Sequence, residues 1–338
     1  MSTATSNRPL WVSRRRAVVA LLATAGVAAA VAEESYPTRP LTLVVGYPPG
    51  GVSDAITRPV AEALSKALGQ RVVVENIGGA AGALGAQKVA SAAPDGYTLL
   101  LGANAELIST QLMNPKQRYD GLKDFAPLGL VTRQAALLVA SKASGVKTFD
   151  QFVDRVRQAP GKYSYGSSGV GSFLHYCGEI LRDRLGLQIT HIPYKGVAPL
   201  GNDLAGGTIE FAFMGTGPAT RSLIDAGTIV PLAVTSATRL PNYPQLPSIA
   251  ERAEAKGYDL SGWFAVMAPK ATPTVIVNRL QAALQQALID PALRKTLLDM
   301  GGLLAGQSQD DDNLPKLMRN DQERYRRFMV SAHIEVQQ

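Results

Sequence analysis

Short apolar runs alternate with amphipathic stretches along most of this chain. Leu41 to Val45 is apolar and rich in β-branched residues, and it runs into the glycines and prolines of Gly46 to Gly51. That combination predicts a buried strand followed by a loop. Ile56, Val60, Ala63, Leu64 and Ala67 then recur at helical spacing, predicting a helix over about 54–68 with Ser53 as N-cap and Gly69 as stop. A strand over 71–75, a helix over 80–92 and a strand over 97–101 complete a β-α-β-α-β order, the pattern of a parallel sheet covered on both faces.

The alternation resumes further on. Strands are expected at 135–141, 163–165, 188–192, 209–214 and 230–235, with helices at 149–158, 173–185, 198–205 and 218–226 between them. A strand at 263–268 precedes helices at 273–290, 291–300 and 313–332. These last helices have only the first sheet left to cover. The chain is therefore expected to cross into a second lobe near Ala135 and to return near Trp263, which gives an α/β protein of two lobes and a two-strand hinge. The lobes are 33–134 with 264–338, and 135–263.

Residues 1–32 change the compartment. Ser13-Arg14-Arg15-Arg16 precedes an uncharged apolar stretch from Ala17 to Ala32 that ends Ala30-Val31-Ala32, just ahead of Glu33-Glu34. This is the n-region, h-region and cleavage site of an export signal, and the stretch is short of the ~20 residues that span a bilayer. Cleavage after about Ala32 is expected. The paired arginines point to the twin-arginine route, but Ala17 and Val18 stand where an aromatic or leucine is usual, so both export routes stay open. The formal net charge is +7, of which Arg8, Arg14, Arg15 and Arg16 supply four, leaving +3. So mild a surplus can attract anions but does not point to nucleic acid. A lone cysteine, Cys177, allows no intrachain disulfide.

In open parallel sheets ligands bind outside the carboxyl ends of the strands. Those ends here are glycine- and serine-rich and lead into helices, at Pro49-Gly50-Gly51-Val52-Ser53-Asp54 and Ser167-Ser168-Gly169-Val170-Gly171-Ser172 above all. Such bends expose peptide N–H groups that bind anions without a basic side chain. Enzyme signatures are weaker. Gly79 to Gly85 departs from a dinucleotide loop, Gly-x-Ser-x-Gly cannot be fitted at 166–169, and no P-loop lysine is present. His175, His191 and His333 have no metal-ligand spacing. No cofactor and no metal are expected, and binding is favoured over catalysis.

The mature chain resembles the Bug family, the extracytoplasmic solute receptors of tripartite tricarboxylate transporters. The resemblance rests on Tyr36 to Val45, Pro48 to Asp54, Val74 to Asn76, Pro94 to Leu99, Tyr163 to Ser172 with His175, His191 to Gly196, Leu232 to Pro241, Leu246 to Glu251 and Gly262 to Pro269, in family order. It implies a type II periplasmic-binding-protein fold that closes on a small carboxylate, whether a dicarboxylate, tricarboxylate or aromatic acid. It implies a ligand site at Tyr47, Pro49, Gly50, Gly51, Ser53 and Asp54, at Ala103 and Asn104, and at Ser167, Ser168, Val170, Gly171 and His175. After Ile209-Glu-Phe-Ala-Phe213 an aspartate is common in the family. Met214, Gly215 and Thr216 stand there instead, so a non-amino carboxylate is the expected ligand. The implied partners are the transporter's membrane subunits, and a monomer is expected. A ligand-loaded sensor and an exported α/β enzyme acting on a small acid are the alternatives.

Overall fold

A computed structural model describes residues 36–304 and 313–331. The export signal at 1–32, the acidic run Asp310 to Asp312 and His333 lie outside the described residues. The first part of the chain runs β1 (Leu41–Val45), α1 (Val52–Leu68), β2 (Val72–Asn76), α2 (Ala83–Ala90), β3 (Thr98–Ala103), α3 (Thr110–Met113) and a long β4 (Phe125–Ser141). Then come α4 (Phe149–Gln158), β5 (Ser164–Ser167), α5 (Phe173–Leu185), β6 (Thr190–Pro193), α6 (Val197–Gly206), β7 (Phe211–Gly215), α7 (Pro218–Asp225) and β8 (Ile229–Val234). β9 (Ser261–Pro269), α8 (Thr274–Leu288), α9 (Pro291–Asp299), β10 (Gly302–Leu304) and α10 (Leu314–Ser331) follow.

The strands form a continuous sheet in the order β2-β1-β3-β9-β4-β7-β5-β6, with β8 and β10 also pairing β4. β1 is parallel to β2 and β3, and β5 is parallel to β6 and β7. β4 joins the two parallel halves. It pairs antiparallel with β9 from Phe125 to Ala135 and with β7 from Ala136 to Ala140. The periodicity predicts a strand only from Ala135, but the observed one begins ten residues earlier. Pro127 and Gly129 mask its first half, and the ladder accommodates them with bulges between Pro127 and Gly129 and between Leu130 and Thr132.

Burial follows the periodicity. α1 buries Ile56, Val60, Ala61, Ala63, Leu64 and Leu68 against the first half-sheet, in a core with Leu41, Leu43, Leu99 and helix α8. Three cores result. One occupies this face of the first half-sheet, and one lies under α6 and β7 around Leu137, Leu200, Leu204 and Met214. The third runs along the opposite face through both halves, from Val44 and Leu100 to Leu138 and Phe213.

The last helix departs from expectation. α10 does not simply cover the first sheet. Its Tyr325 stacks on Tyr176 of α5 at 4.8 Å, and its Phe328 meets the Tyr176 and His175 rings edge-on at 4.9 and 5.3 Å. On the other side Asn104 donates to the Tyr325 hydroxyl (2.8 Å). The helix thus touches both halves, so α10 is not confined to one of them.

Candidate functional site

The segments that follow β1 and β3 meet those that follow β5 and β7, Val52 lying beside Gly217 and Met113 beside Gly171, while β4 and β9 join the halves. The first-half bend follows β1. Gly51, not Ser53, is the N-cap of α1, and no side chain caps the helix. The sequence favours Ser53 for its hydroxyl, but the helix begins two residues earlier than that cap implies, at Val52. The first-turn amides therefore have no side-chain acceptor, and the positive end of the helix dipole faces the other half.

Asp54 holds this bend. Its Oδ2 accepts from the Gly50 N–H (2.9 Å) and Arg58 Nε (3.0 Å), and its Oδ1 accepts from Asn76 Nδ2 (3.0 Å). Asn76 also donates to the Tyr47 carbonyl (2.9 Å). Burial works against ionisation of Asp54, but Arg58, the Gly50 amide and Asn76 outweigh it and hold the carboxyl below its ordinary range. Gly50 has φ +84°, a conformation few side chains tolerate. Both Asp54 oxygens thus serve the bend.

The second bend, residues 79–82, passes through left-handed backbone at Ala80 (φ 47°) and Ala81 (φ 51°), which is costly for alanine. A buried acid secures it. Glu106 lies in a π-helical turn (Ala105–Ser109) directly after β3. Its Oε1 accepts from the Ala103 N–H (2.8 Å), and its Oε2 lies 3.1 Å from the Tyr47 hydroxyl, which is also 3.1 Å from the Ala81 carbonyl. Burial raises the Glu106 carboxyl to about 7. Desolvation, with Glu106 beside it, pushes the Tyr47 phenol well up. The sequence reading points to Ala103 and Asn104 at this strand end but passes over Glu106. The signal was an acid placed in an otherwise apolar stretch. Asn104, beside it, is buried and committed to Tyr325.

The serine-glycine loop of the other half is more self-contained than its composition suggests. Ser172 caps α5 by accepting from the His175 N–H (3.2 Å). The Gly171 N–H donates to His175 Nδ1 (3.1 Å), the Gly169 N–H to Ser167 Oγ (3.2 Å) and the Ser172 N–H to the Gly169 carbonyl (3.2 Å). Ser167 Oγ lies 2.7 Å from His191 Nε2. His175 and His191 stack with ring centres 3.7 Å apart. Desolvation, with His191 and Arg182 nearby, lowers His175 to about 3, and desolvation lowers His191 to about 4. Ser167 and His175 are thus buried supports of the loop, against the expectation that they face ligand. Ser168 and the half-exposed Val170 remain at its surface.

Met214 is also corrected. It is fully buried in the core with Leu137 and Leu200, so it cannot line a cleft. Thr216 is buried, with its hydroxyl 2.7 Å from the Met300 carbonyl and 3.0 Å from Gln134 Oε1. Gly215 and Gly217 are what this strand end offers. Gly217 caps α7 with no side chain, and Pro218 follows at the first helical position. A β-carbon on Gly217 would stand 2.6 Å from Val52 Cγ2, and one on Gly171 would stand 2.0 Å from Met113 Sδ. The bends of the two halves therefore face one another at contact distance, and the uncapped starts of α1 and α7 lie on either side of that contact. A groove of about 780 Å³ lies elsewhere, between β4, α8 and α9, away from these strand ends.

Residues 56–332 match the tripartite tricarboxylate transporter family receptor. The chain is similar to Protein BugT of Bordetella pertussis, at 35% identity over 86% of this chain and 89% of that one. It is similar in structure to an R. palustris protein solved with adipate, with TM-score 0.80 and 34% identity over 89% of this chain and 99% of the other. It is also similar to MatC of Rhodopseudomonas palustris with bound malate, with TM-score 0.74 and 28% identity over 87% and 99%.

Proposed function

Because the chain belongs to the tripartite tricarboxylate transporter receptor family, we propose that it is a periplasmic receptor that closes on a small carboxylate between its two halves and presents it to the transporter's membrane subunits. Relatives solved with adipate and malate support the ligand class. The single observation that carries the reading is the meeting of Val52 and Gly217, which sets two uncapped helix starts from different half-sheets beside one cleft. Peptide N–H groups and helix dipoles of that kind favour an anion. In this reading the lobes are 33–134 with 264–304, and 135–263, with α10 as a strap over both. The hinge lies where β4 changes partner after Ala135. The ligand is held by the bends at Tyr47, Pro49, Gly50, Gly51 and Ser53, by Ala103, and by Ser168, Val170 and Gly215. The export signal at 1–32 is removed before the receptor works.

The ligand is a carboxylate without an ammonium group. A bound ammonium needs a free carboxylate. Asp54 is engaged by Arg58 and Asn76, Glu106 is buried behind Tyr47, and no acid stands at 214–217, directly after Phe213. A thermal-shift screen of residues 33–338 tests the reading. Dicarboxylates such as adipate and malate should stabilise the protein by RT ln(1 + [L]/Kd), about 2.7 kcal/mol at a hundredfold excess over Kd. Tight binding of aspartate or glutamate, with no response to plain or aromatic carboxylates, rejects it.

A further inference from the structure

Glu106 touches all three bends of the first lobe. It takes the Ala103 N–H at the end of β3, its Oε2 meets the Tyr47 hydroxyl at the end of β1, and its carboxyl packs against Gly82, where an added β-carbon would come within 3.0 Å. The Tyr47 hydroxyl stands 3.1 Å from Glu106 Oε2 and 3.1 Å from the Ala81 carbonyl. A carbonyl oxygen only accepts, and a phenol has one proton to give. Each short contact is a full, undivided hydrogen bond when Glu106 supplies the second proton: Glu106 donates to Tyr47, and Tyr47 donates to Ala81. An ionised Glu106 competes for the phenol's one proton and weakens the bond to the Ala81 carbonyl, in strained left-handed backbone.

The surroundings of Glu106 favour the neutral form. It is buried, its side chain is paired with no cation among the described residues, and burial is the first cause of its raised carboxyl. The titratable groups packed around it are phenols. Tyr47 comes from the first bend, and Tyr119, from the segment after α3, donates to the Glu106 carbonyl (2.6 Å). Tyr325 of α10 lies beside this segment through Asn104, and Asp321 on the same helix is turned to Trp263. No titration among these neighbours offsets a charge on Glu106 between pH 6 and 9.

Resting on the receptor reading above, we propose that Glu106 is the proton-linked positioning residue of the site: as a carboxylate docks on the bends it holds, Glu106 takes up a proton from solvent and stays neutral while the ligand is bound. The ligand's charge and an ionised Glu106 would repel one another through a poorly screened interior. The neutral acid also completes the Glu106–Tyr47–Ala81 chain that fixes the bends. Binding and proton uptake are reciprocal, so affinity falls as pH rises above the range in which free Glu106 loses its proton.

Calorimetry with adipate, in pairs of buffers that differ in ionisation enthalpy, reads the uptake directly. Adipate is fully ionised above pH 7, so a proton gained there belongs to the protein. A net uptake is expected that approaches one proton as pH rises through the range in which free Glu106 ionises, with Kd weakening by up to about tenfold per pH unit above that range. Glu106→Gln keeps an acceptor for Ala103 and a donor for Tyr47, so it should abolish both the uptake and the slope. Zero uptake in the unmutated receptor, or the same slope in E106Q, overturns the proposal. If adipate does not bind at any pH, the dicarboxylate reading fails, and infrared spectra of the free protein still decide the charge state. A protonated-carboxyl band at pH 6 that E106Q removes supports a neutral Glu106, and its absence overturns the proposal.

Discussion

Val52 of the first lobe rests in the space that Gly217 of the second leaves open: a β-carbon on Gly217 would lie 2.6 Å from Val52 Cγ2. Gly217 has φ −69°, which any residue adopts, so its substitution acts through this contact and not through backbone strain. Gly217→Ala should hold the lobes apart. Ligand affinity is expected to fall about tenfold, roughly 1.4 kcal/mol, with the unliganded melting temperature little changed. Small-angle scattering should show incomplete closure. Val52→Ala in the same chain should restore both quantities, since it removes the methyl that the new β-carbon meets. A double variant no better than Gly217→Ala alone would mean that the two residues do not limit closure.

Asp54 is expected to matter through the bend it holds. Asp54→Ala removes the acceptor for the Gly50 N–H, Arg58 Nε and Asn76 Nδ2 at once. Leaving such donors unpaired costs about 1–3 kcal/mol, and the freed bend should bind carboxylates at least tenfold more weakly. Asp54→Asn keeps one acceptor oxygen and should fall between. The folded carboxyl is depressed, so its contribution is present above the ordinary aspartate range and is lost as pH falls through its lower folded value. Urea titrations at pH 7 and calorimetry of the two variants separate the stability effect from the binding effect.

The lobes were legible because their elements are local. The spacing of Ile56, Val60 and Leu64 and the β-rich runs at 41–45 and 98–101 need no tertiary information. β4 was only half legible, since Pro127 and Gly129 are strand-breaking residues that only bulges in the pairing with β9 accommodate. At the site, composition located the bends but not their bonding. Nothing in Ser167-Ser168-Gly169 reveals that His175 and His191, brought together from α5 and β6, consume its donors and acceptors. The resemblance likewise put Asp54 and Met214 at the ligand, while the register of β7 turns Met214 inward against Leu137. The role of α10 was hidden for the same reason, because Tyr325 and Phe328 find their partners some 150 residues away.

The stacked imidazoles should make the second lobe sensitive to acid. His175 accepts the Gly171 N–H at Nδ1, which requires a neutral ring, and a charged ring would also meet His191 at 3.7 Å. In the folded protein His175 protonates at about 3 and His191 at about 4, both below the ordinary histidine value. The unfolded chain therefore binds protons that the native chain refuses between about pH 6.5 and 4. Stability should be level in this respect above pH 7 and fall steadily below 6.5. Denaturation measured from pH 4 to 8 checks this, and His191→Gln, which keeps a polar partner for Ser167, should make the decline shallower.

Trp263 and Asp321 form the bond that ties the strap to the hinge. The Trp263 indole lies at the start of β9, is fully buried, and donates its Nε1–H to Asp321 Oδ2 (2.6 Å) on α10. Burial raises the Asp321 carboxyl, while the indole and Arg324 oppose the rise. Asp321→Ala leaves a buried indole N–H with no acceptor and should destabilise the protein by about 1–3 kcal/mol. Asp321→Asn can present its carbonyl oxygen to the indole and should lose less. Because the tryptophan sits where the chain re-enters the first lobe, loosening α10 should also change its surroundings. Its fluorescence in Asp321→Ala is expected to shift to the red and to become more accessible to a quencher such as acrylamide. An unshifted spectrum together with unchanged urea stability would show that α10 is held by Tyr325 and Phe328 alone.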